Sequence, residues 1–174
     1  MVCKISKHGG ILYKIKNNLP LSARITYYNS FVLPYLNFNI LHWGNTNETH
    51  LNALFLCQKR IIRTIADAGY LDSSTPLFYR LKILKLRDLY KFQAVLDTYK
   101  KLKNGHYQIS HNLNTRHRQL ALPKFHSLTR TRQSITCSGP NLWNTLPDSL
   151  RNIPSLSVFK LKLRAYYLSQ YAEL

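Results

Sequence analysis

The sequence predicts a mainly α-helical protein, because apolar side chains recur at helical spacing through most of its first hundred residues. The clearest example is the face formed by Leu51, Leu54, Phe55, Ile62 and Ile65. Apolar residues make up 45% of the 174-residue chain, which is enough for a buried core and too much for a disordered tail. We expect a helical lobe over residues 1–104. A basic connector and a C-terminal segment, built around one tryptophan and one helix, should follow over residues 105–174.

Three helices are predicted before residue 45. The first covers about residues 10–17, and the second runs to Pro34, where the proline is expected to bend or break the helix. The third ends at Trp43, with Gly44 as a natural C-cap. Because aromatic side chains are frequent in the last two, we expect them to form the centre of the N-terminal lobe, with Trp43 as a structural residue.

An uncharged stretch between Ile25 and Asn47 approaches the length of a membrane-spanning helix. Five asparagines and Pro34 interrupt it, and side-chain amides are costly to place in hydrocarbon. The composition therefore favours two buried helices separated by a break, and we expect no membrane partner.

The middle of the chain predicts one long helix and one short helix. The long one covers about residues 50–66, and Gly69 is expected to end it. Thr75 and Pro76 then supply the N-cap and the first turn of the short one, because proline is well tolerated at the first helical position.

A further long helix precedes a change of character in the sequence. It covers residues 86–102, places Asp97 and Lys101 at i, i+4 as an ion pair, and has one apolar face. Over residues 106–138 the helical period is lost, and His, Thr, Ser and Arg dominate. Apolar residues near the end of this stretch alternate, so either a short β-hairpin or an ordered extended loop is expected there.

A tryptophan between a glycine–proline pair and a second proline dominates the C-terminal segment. Gly139 and Pro140 predict a turn, because glycine accepts positive φ and proline fixes φ. Trp143 predicts a buried anchor, and Pro147 should end the short helix that carries it. The last helix begins near residue 154 and turns Phe159 inward. We expect these residues to stabilise the fold and to take no part in chemistry.

The charge of the chain indicates its partner. Lys and Arg total 25 against seven Asp and Glu, a formal net charge of +18, which predicts RNA or DNA as a polyanionic partner. A basic structural protein and a membrane-surface binder are the alternatives. Cys3, Cys57 and Cys137 are far apart and odd in number, which indicates free thiols. A reducing compartment suits them, so we expect an intracellular protein of the nucleus, the cytoplasm or both.

Catalytic and metal-binding patterns are missing from the sequence. A polymerase needs paired carboxylates to hold two metal ions, and no two acidic residues of this chain are adjacent. The seven acids are scattered singly, as helix caps and surface ion pairs would be. Four histidines between residues 106 and 126 match no zinc-ligand spacing. We therefore predict no catalytic residue, no metal and no cofactor.

Three groups of basic residues are the candidate nucleic-acid contacts. The first lies on the outward side of the helix over residues 50–66. The second lies in a stretch without acidic residues and is interleaved with histidine and phenylalanine, whose rings can stack on unpaired bases. The third lies on the last helix, where an ordinary solvated face is an equal alternative. The groups are Lys59, Arg60 and Arg63; Arg116, Arg118, Lys124, Arg130 and Arg132; and Lys160, Lys162 and Arg164.

Six motifs in order resemble the C-terminal end of non-LTR (LINE-type, jockey-like) retrotransposon reverse transcriptases. The longest, from Gly139 to Leu163, reads GP-x-LWN-x-LP-x-x-L-R … SL-x-x-FK-x-x-L. The other five are Gly10-Ile-Leu-Tyr13, Tyr35-Leu … Trp43-Gly44, Gln58-Lys-Arg-Ile-Ile-Arg63, Pro76-Leu-Phe78 … Asp88-Leu-Tyr90, and Asn114-Thr-Arg116.

This resemblance covers nearly the whole chain and implies that the helical lobe is a polymerase thumb. In the family, this region grips template RNA and primer DNA beside the catalytic palm. The family's Asp-Asp box is missing here, so the chain is expected to lack the palm and fingers and to be inactive alone. The alternative is a free-standing basic helical scaffold that binds RNA or DNA.

Overall fold

The structure, a computed structural model, describes residues 1–105 and 134–172, and every regular element in these ranges is helical. The lack of strands among the described residues confirms the predicted mainly α fold class. The hairpin or extended loop was expected mostly at residues 106–133, which lie outside the described ranges. The helices are α1 (Val2–Ile15), α2 (Leu21–Tyr27), α3 (Leu33–Asn37), α4 (Ile40–Trp43), α5 (Glu48–Ala66), α6 (Thr75–Arg80), α7 (Leu86–Lys103), α8 (Ile135–Asn144), α9 (Asp148–Arg151) and α10 (Leu156–Ser169).

The described residues fall into two compact units. Unit 1 contains those within Met1–Ile40, Thr46–Leu89 and Tyr167–Leu174, and unit 2 contains those within Leu41–Asn45 and Tyr90–Tyr166. The boundaries cut α7 and α10, so each of these helices has residues in both units.

Helix α1 begins at Val2, whereas the sequence predicted a first helix that began near residue 10. Gly9 lies inside the helix because it permits close packing on α5: a Cβ there would lie 3.1 Å from Cγ1 of Ile61. Ile5 and Leu12 of α1 are completely buried. This packing offsets the low helix propensity of glycine, which costs about 1 kcal/mol relative to alanine.

The second helix was predicted to bend or break at Pro34, and the break does not occur there. Helices α2 and α3 are joined without interruption by a π-helical turn at Tyr28–Val32, and Pro34 lies in the first turn of α3. The turn relaxes the hydrogen-bond ladder ahead of a residue that has no N–H. The break comes later, at Asn39, whose φ of 54° is left-handed.

The prediction for α5 was right about its apolar face and about its end near residue 66, and wrong about the residue that stops it. Of the five apolar residues that predicted the helix, four are at most 7% exposed, and Phe55 is half-buried. Asp67, with a left-handed φ of 55°, ends the helix before Gly69 is reached. Lys16 forms an ion pair with Asp67, and this pair favours Asp67 as the residue that ends the helix. The N-cap of α6 is Ser74, one residue before the predicted Thr75.

A buried glutamine fixes the orientation of α5 within unit 1. Gln58 is completely buried. Its Nε2 donates to the Tyr28 hydroxyl and to the Leu84 backbone oxygen, and its Oε1 accepts from the Leu86 N–H, each at 2.9 Å. These bonds satisfy the buried amide and tie α5 to the π-helical turn and to the start of α7. Because Gln58 faces inward, Arg60, two residues later, lies on the exposed side of the helix.

Unit 2 is centred on a buried aromatic cluster, which we define as Tyr99 of α7, Trp143 of α8 and Phe159 of α10. The ring centroids of Tyr99 and Phe159 are 4.5 Å apart, and those of Trp143 and Phe159 are 5.7 Å apart. Each ring is at most 4% exposed. The predictions that Trp143 is a buried anchor and that Phe159 faces inward are confirmed.

The predicted turn at Gly139 and Pro140 was wrong, because both residues lie inside α8. A Cβ at Gly139 would lie only 2.5 Å from Oγ1 of Thr98, so this glycine is needed for the close approach of α8 to α7. The alternating residues Ile135 and Cys137 also belong to α8, not to a strand. Packing against α7 explains why α8 is helical although its glycine and proline favour a turn.

Sequence periodicity located α7 and α10 closely. The observed α7 extends one residue beyond the prediction, and its expected apolar face at Leu89, Phe92, Leu96 and Tyr99 is buried. The ion pair between Asp97 and Lys101 is present at 2.7 Å. Within the described ranges, no helix combines the length and apolar character needed to cross a bilayer.

Candidate nucleic-acid interface

The outward side of α5 carries the first group of predicted nucleic-acid contacts. Arg60 is exposed, whereas Lys59 and Arg63 are half-buried. The Lys59 Nζ lies 4.4 Å from the ring centroid of Phe55, and the Arg63 Nε donates a 2.9 Å hydrogen bond to the backbone oxygen of Asp72. These contacts restrict two of the three cations before any partner arrives, which lowers the entropy cost of binding.

The third group lies on α10, in unit 2. Lys160, Lys162 and Arg164 are all exposed, while Phe159 and Leu163 of the same helix are completely buried. Helical spacing places Lys160 and Arg164 on one flank of the buried side and Lys162 on the other. The α10 cations therefore do not form one continuous row.

The remaining predicted contacts lie outside the described residues. These are Arg116, Arg118, Lys124, Arg130 and Arg132, so their part in an interface stays a prediction. Of the predicted structural residues, Trp43 is half-buried, Gly139 and Pro140 are buried, and Pro147 is the exposed N-cap of α9.

Structural contacts account for each acidic residue that the structure describes. Their carboxylates are therefore engaged within the fold, and these residues contain no group of three or more His, Cys, Asp or Glu arranged to hold a metal ion. The pairs are Glu48 with Arg87, Asp67 with Lys16, Asp72 with the Gly69 N–H, Asp88 with the Tyr171 hydroxyl, Asp97 with Lys101, and Asp148 with Arg151.

The Tyr171 hydroxyl shows how an acid is built into the fold of unit 1. It donates to Oδ2 of Asp88 at 2.5 Å and accepts from the Lys85 N–H at 3.0 Å. Burial and the neighbouring Asp88 carboxylate raise the pKa of Tyr171 above its ordinary value, so the phenol stays neutral. At the end of α5, the hydrogen bond and charge of Lys16 lower the pKa of Asp67.

A second feature of unit 1 was not found from the sequence. We define the surface aromatic cluster as His8 of α1, Tyr27 of α2, Phe31 of the π-helical turn and Tyr35 of α3. The ring centroids of Tyr27 and Phe31 are 4.8 Å apart, and His8 lies 5.7 Å from Phe31 and 5.6 Å from Tyr35. The His8 Nδ1 and the Tyr27 hydroxyl are 3.1 Å apart and share a hydrogen bond.

The surface aromatic cluster is open to solvent and lies in a basic part of the chain. Phe31 is 48% exposed, and the Lys4 Nζ lies 5.8 Å from the ring centroid of Tyr35. No Asp or Glu occurs in residues 1–47, which carry five cations. The π-helical turn points Tyr28 and Val32 into the core and leaves Phe31 outside. The acid-free start of the chain was the sequence signal for this region. The five cations are Lys4, Lys7, Lys14, Lys16 and Arg24.

The chain is similar to the RNA-directed DNA polymerase from the mobile element jockey of Drosophila melanogaster, with 28% identity over 91 residues. The aligned region covers 52% of this chain and 10% of the fly protein, so the chain spans a small part of that relative's length. No family model and no solved structure matches the chain. The similarity supports a loose relationship to retrotransposon reverse transcriptases.

Proposed function

We propose that the chain binds RNA and DNA as the thumb-like part of a LINE-type reverse transcriptase. The observation that carries this proposal is the row of Lys59, Arg60 and Arg63 on the outward side of α5, in a chain of net charge +18. The polymerase context comes from the similarity to the jockey enzyme, whose name describes DNA synthesis on RNA. Such an enzyme holds an RNA template and a growing DNA strand, and both are polyanions.

The spacing on α5 suits a nucleic-acid backbone. Lys59 and Arg63 are four residues apart, which is about 6 Å along a helix, and Arg60 lies between them. Cations at this spacing can contact neighbouring phosphates of one strand, and such contacts position a strand without reading its sequence. Tight but sequence-tolerant binding is what a polymerase needs as its template moves.

The surface aromatic cluster adds a site for unpaired bases. Aromatic rings stack on bases of any sequence, and cations beside the rings attract the backbone that carries those bases. Phe31 is about half exposed, and Lys4 lies beside the cluster. Together, the basic side of α5 and this cluster favour a strand that is at least partly single.

Catalysis is proposed to come from a palm that lies outside these residues. The chain has no adjacent acidic pair, and its described acids are engaged in structural contacts. Two-metal phosphoryl transfer needs convergent free carboxylates. The purified chain should therefore bind primer–template without extending the primer.

The test is a binding titration of an RNA–DNA hybrid and a DNA duplex, followed by fluorescence anisotropy at several KCl concentrations. If about six phosphates are contacted, log K for the duplex should fall with log salt at a slope of about −5. The double variant Lys59→Gln and Arg60→Gln should reduce the size of that slope by about 2. Arg63 is kept because its hydrogen bond to Asp72 supports the fold.

The matched control is the double variant Lys14→Gln and Lys100→Gln. Both lysines are exposed, and the control removes the same net charge at other places. Its slope should stay close to that of the unmodified protein. Equal reductions in both double variants, or an affinity that does not depend on salt, would refute the assignment of the contact to α5.

A further inference from the structure

Arg151, at the end of α9, is an ionic side chain that the proposed function does not use. Its side chain is only 6% exposed. Nη2 contacts Oδ1 of Asp148, which lies on the preceding turn and is largely exposed. Among the residues that the structure describes, Nε and Nη1 of Arg151 are buried and have no hydrogen-bond partner.

Such an arrangement is costly for the protein alone. A guanidinium does not deprotonate in proteins, so Arg151 stays charged when it is buried. Buried donors without partners lose their hydration and gain nothing in return. Nε carries one N–H and Nη1 carries two, which leaves three charge-assisted donors to be satisfied.

Arg151 is one of the residues that line a cavity within unit 2. Its volume is about 230 Å³, and its lining includes Tyr99, Lys103, Trp143, Arg151, Asn152 and Ile153. Tyr99 and Trp143 provide aromatic walls, with ring centroids 6.0 Å apart. Trp143 and Arg151 lie on different helices, α8 and α9, and both line this cavity.

The polarity of this cavity favours an anion. The single proton of the Tyr99 hydroxyl is shared between the backbone oxygens of Ile153 and Pro154, which lie 3.0 and 2.6 Å away, so the hydroxyl is held by the backbone. Lys103 brings a second positive charge to the lining, with its Nζ 5.8 Å from the Tyr99 ring centroid. Two cations and aromatic walls suit a negatively charged group attached to a flat organic body.

We propose that this cavity binds a monoester phosphate. Such a phosphate has three terminal oxygens and a charge of about −1.5 to −2 at neutral pH. It therefore matches the three donors of Arg151 and the charge of Lys103 better than a carboxylate, which has two oxygens and one charge. The cavity is smaller than the pockets of about 300–1,000 Å³ that enclose drug-sized ligands, which limits the ligand to a small anion.

The phosphate has two natural sources, a free nucleoside monophosphate and the 5′-phosphorylated end of a nucleic-acid strand. Both present the same group beside a planar base. The inference uses residues of unit 2 and none of the basic residues of α5. It therefore goes beyond the proposed function, and either can fail without the other.

The test is calorimetric titration of the full chain with inorganic phosphate, 5′-AMP and adenosine. We expect saturable binding of the two phosphates and none of adenosine. Arg151→Met keeps the aliphatic stem and removes the donors, so it should weaken phosphate binding by roughly tenfold to a hundredfold. Its melting temperature without phosphate should not fall, because two buried nitrogens without hydrogen-bond partners have been removed.

Lys100→Met is the matched control, since it removes one exposed cation of α7 outside the cavity. It should bind phosphate like the unmodified protein. Equal weakening by both variants, or no saturable phosphate binding, would overturn the proposal. If Arg151→Met does not fold, Lys103→Met decides: we expect roughly two- to fivefold weaker binding, and unchanged binding would count against the site.

Two strands of equal sequence, one with a 5′-phosphate and one with a 5′-hydroxyl, distinguish the two sources. Tighter binding of the phosphorylated strand that is lost in Arg151→Met indicates a strand end. Binding of 5′-AMP with no preference between the strands indicates a free nucleotide. If Arg151→Met loses phosphate binding but keeps the salt slope for long duplexes, the proposed function of α5 is unaffected.

Discussion

Two aromatic clusters, one in each unit, use similar ring contacts in opposite surroundings. In the buried aromatic cluster, Tyr99, Trp143 and Phe159 are at most 4% exposed, and their ring centroids are 4.5–6.0 Å apart. In the surface aromatic cluster, the ring centroid of Phe31 lies 5.7 Å from that of His8 and 4.8 Å from that of Tyr27, which are similar distances, but Phe31 is 48% exposed. Ring geometry alone therefore does not separate a structural cluster from a binding one.

The difference lies in what surrounds the rings. The buried aromatic cluster joins three helices of unit 2, so its main contribution is the removal of apolar surface from water. The surface aromatic cluster lies on α1 and on the helical segment that contains the π-helical turn, in a stretch of 47 residues without an acid. Open ring faces beside cations suit a polyanion with unpaired bases. Substitutions in the two clusters should therefore affect different measurements.

The largest effect on stability is expected from Trp143→Ala. Removing a large aromatic side chain from a packed core costs roughly 3–5 kcal/mol of unfolding free energy. That is a large part of a typical total of about 5–15 kcal/mol. Denaturant-induced unfolding measures the loss. The affinity of folded protein for a 5′-hydroxyl strand should change little, because the proposed strand contacts lie on unit 1. Normal stability with lost affinity would make Trp143 a binding residue.

The next largest effect is expected where two helices of unit 2 meet. Gly139→Ala places a methyl group 2.5 Å from Oγ1 of Thr98, and overpacking of this kind costs roughly 1–3 kcal/mol. Adding Thr98→Ala should recover part of the loss, because it removes the clashing atom. Unfolding of the two single variants and the double variant forms a cycle that measures this coupling.

Gly10→Ala is the control for the glycine substitution. Gly10 also lies inside a helix, α1, but a Cβ there has no neighbour within 4 Å. The change should stabilise the protein by roughly 0.5–1 kcal/mol through helix propensity. If both alanine variants were stabilised, Gly139 would not mark a close helix contact.

The comparison also shows what the sequence could predict. Helices α5, α7 and α10 have regular apolar faces, and periodicity located them closely. Gly9, Pro34 and Gly139 misled the predictions because local preference was overruled by packing. The contact with Thr98 leaves no room for a Cβ at Gly139, a Cβ at Gly9 would crowd Ile61, and a π-helical turn accommodates the proline. A single sequence does not reveal such contacts between distant residues.

The candidate sites also divide into those that form a local sequence pattern and those that depend on contacts between distant residues. The outward row on α5 is a local pattern, so the sequence could predict it. The surface aromatic cluster joins His8 to Phe31 and Tyr35, and the phosphate cavity joins Tyr99 to Trp143 and Arg151. Both depend on chain segments that meet only after folding. Gln58 was noticed in a motif, yet its buried hydrogen bonds became apparent only in the structure.

The smallest effect on stability is expected from Phe31→Ala, which tests the surface aromatic cluster. A ring that is about half exposed contributes less burial than Trp143, so the loss should be roughly 1 kcal/mol or less. Affinity for single-stranded RNA or DNA should fall by roughly 1–3 kcal/mol, the usual contribution of one stacked base. The salt slope should stay the same, because no cation is removed.

Phe38→Ala supplies the control for Phe31→Ala, because it removes the same side chain from a residue that is 72% exposed and outside the surface aromatic cluster. Anisotropy titrations with a single strand and a duplex should show a loss for Phe31→Ala that is greater on the single strand, whereas Phe38→Ala should match the unmodified protein on both. Stacking requires unpaired bases, so equal losses on the two substrates would contradict it. A destabilisation as large as that of Trp143→Ala would instead show that both aromatic clusters are structural.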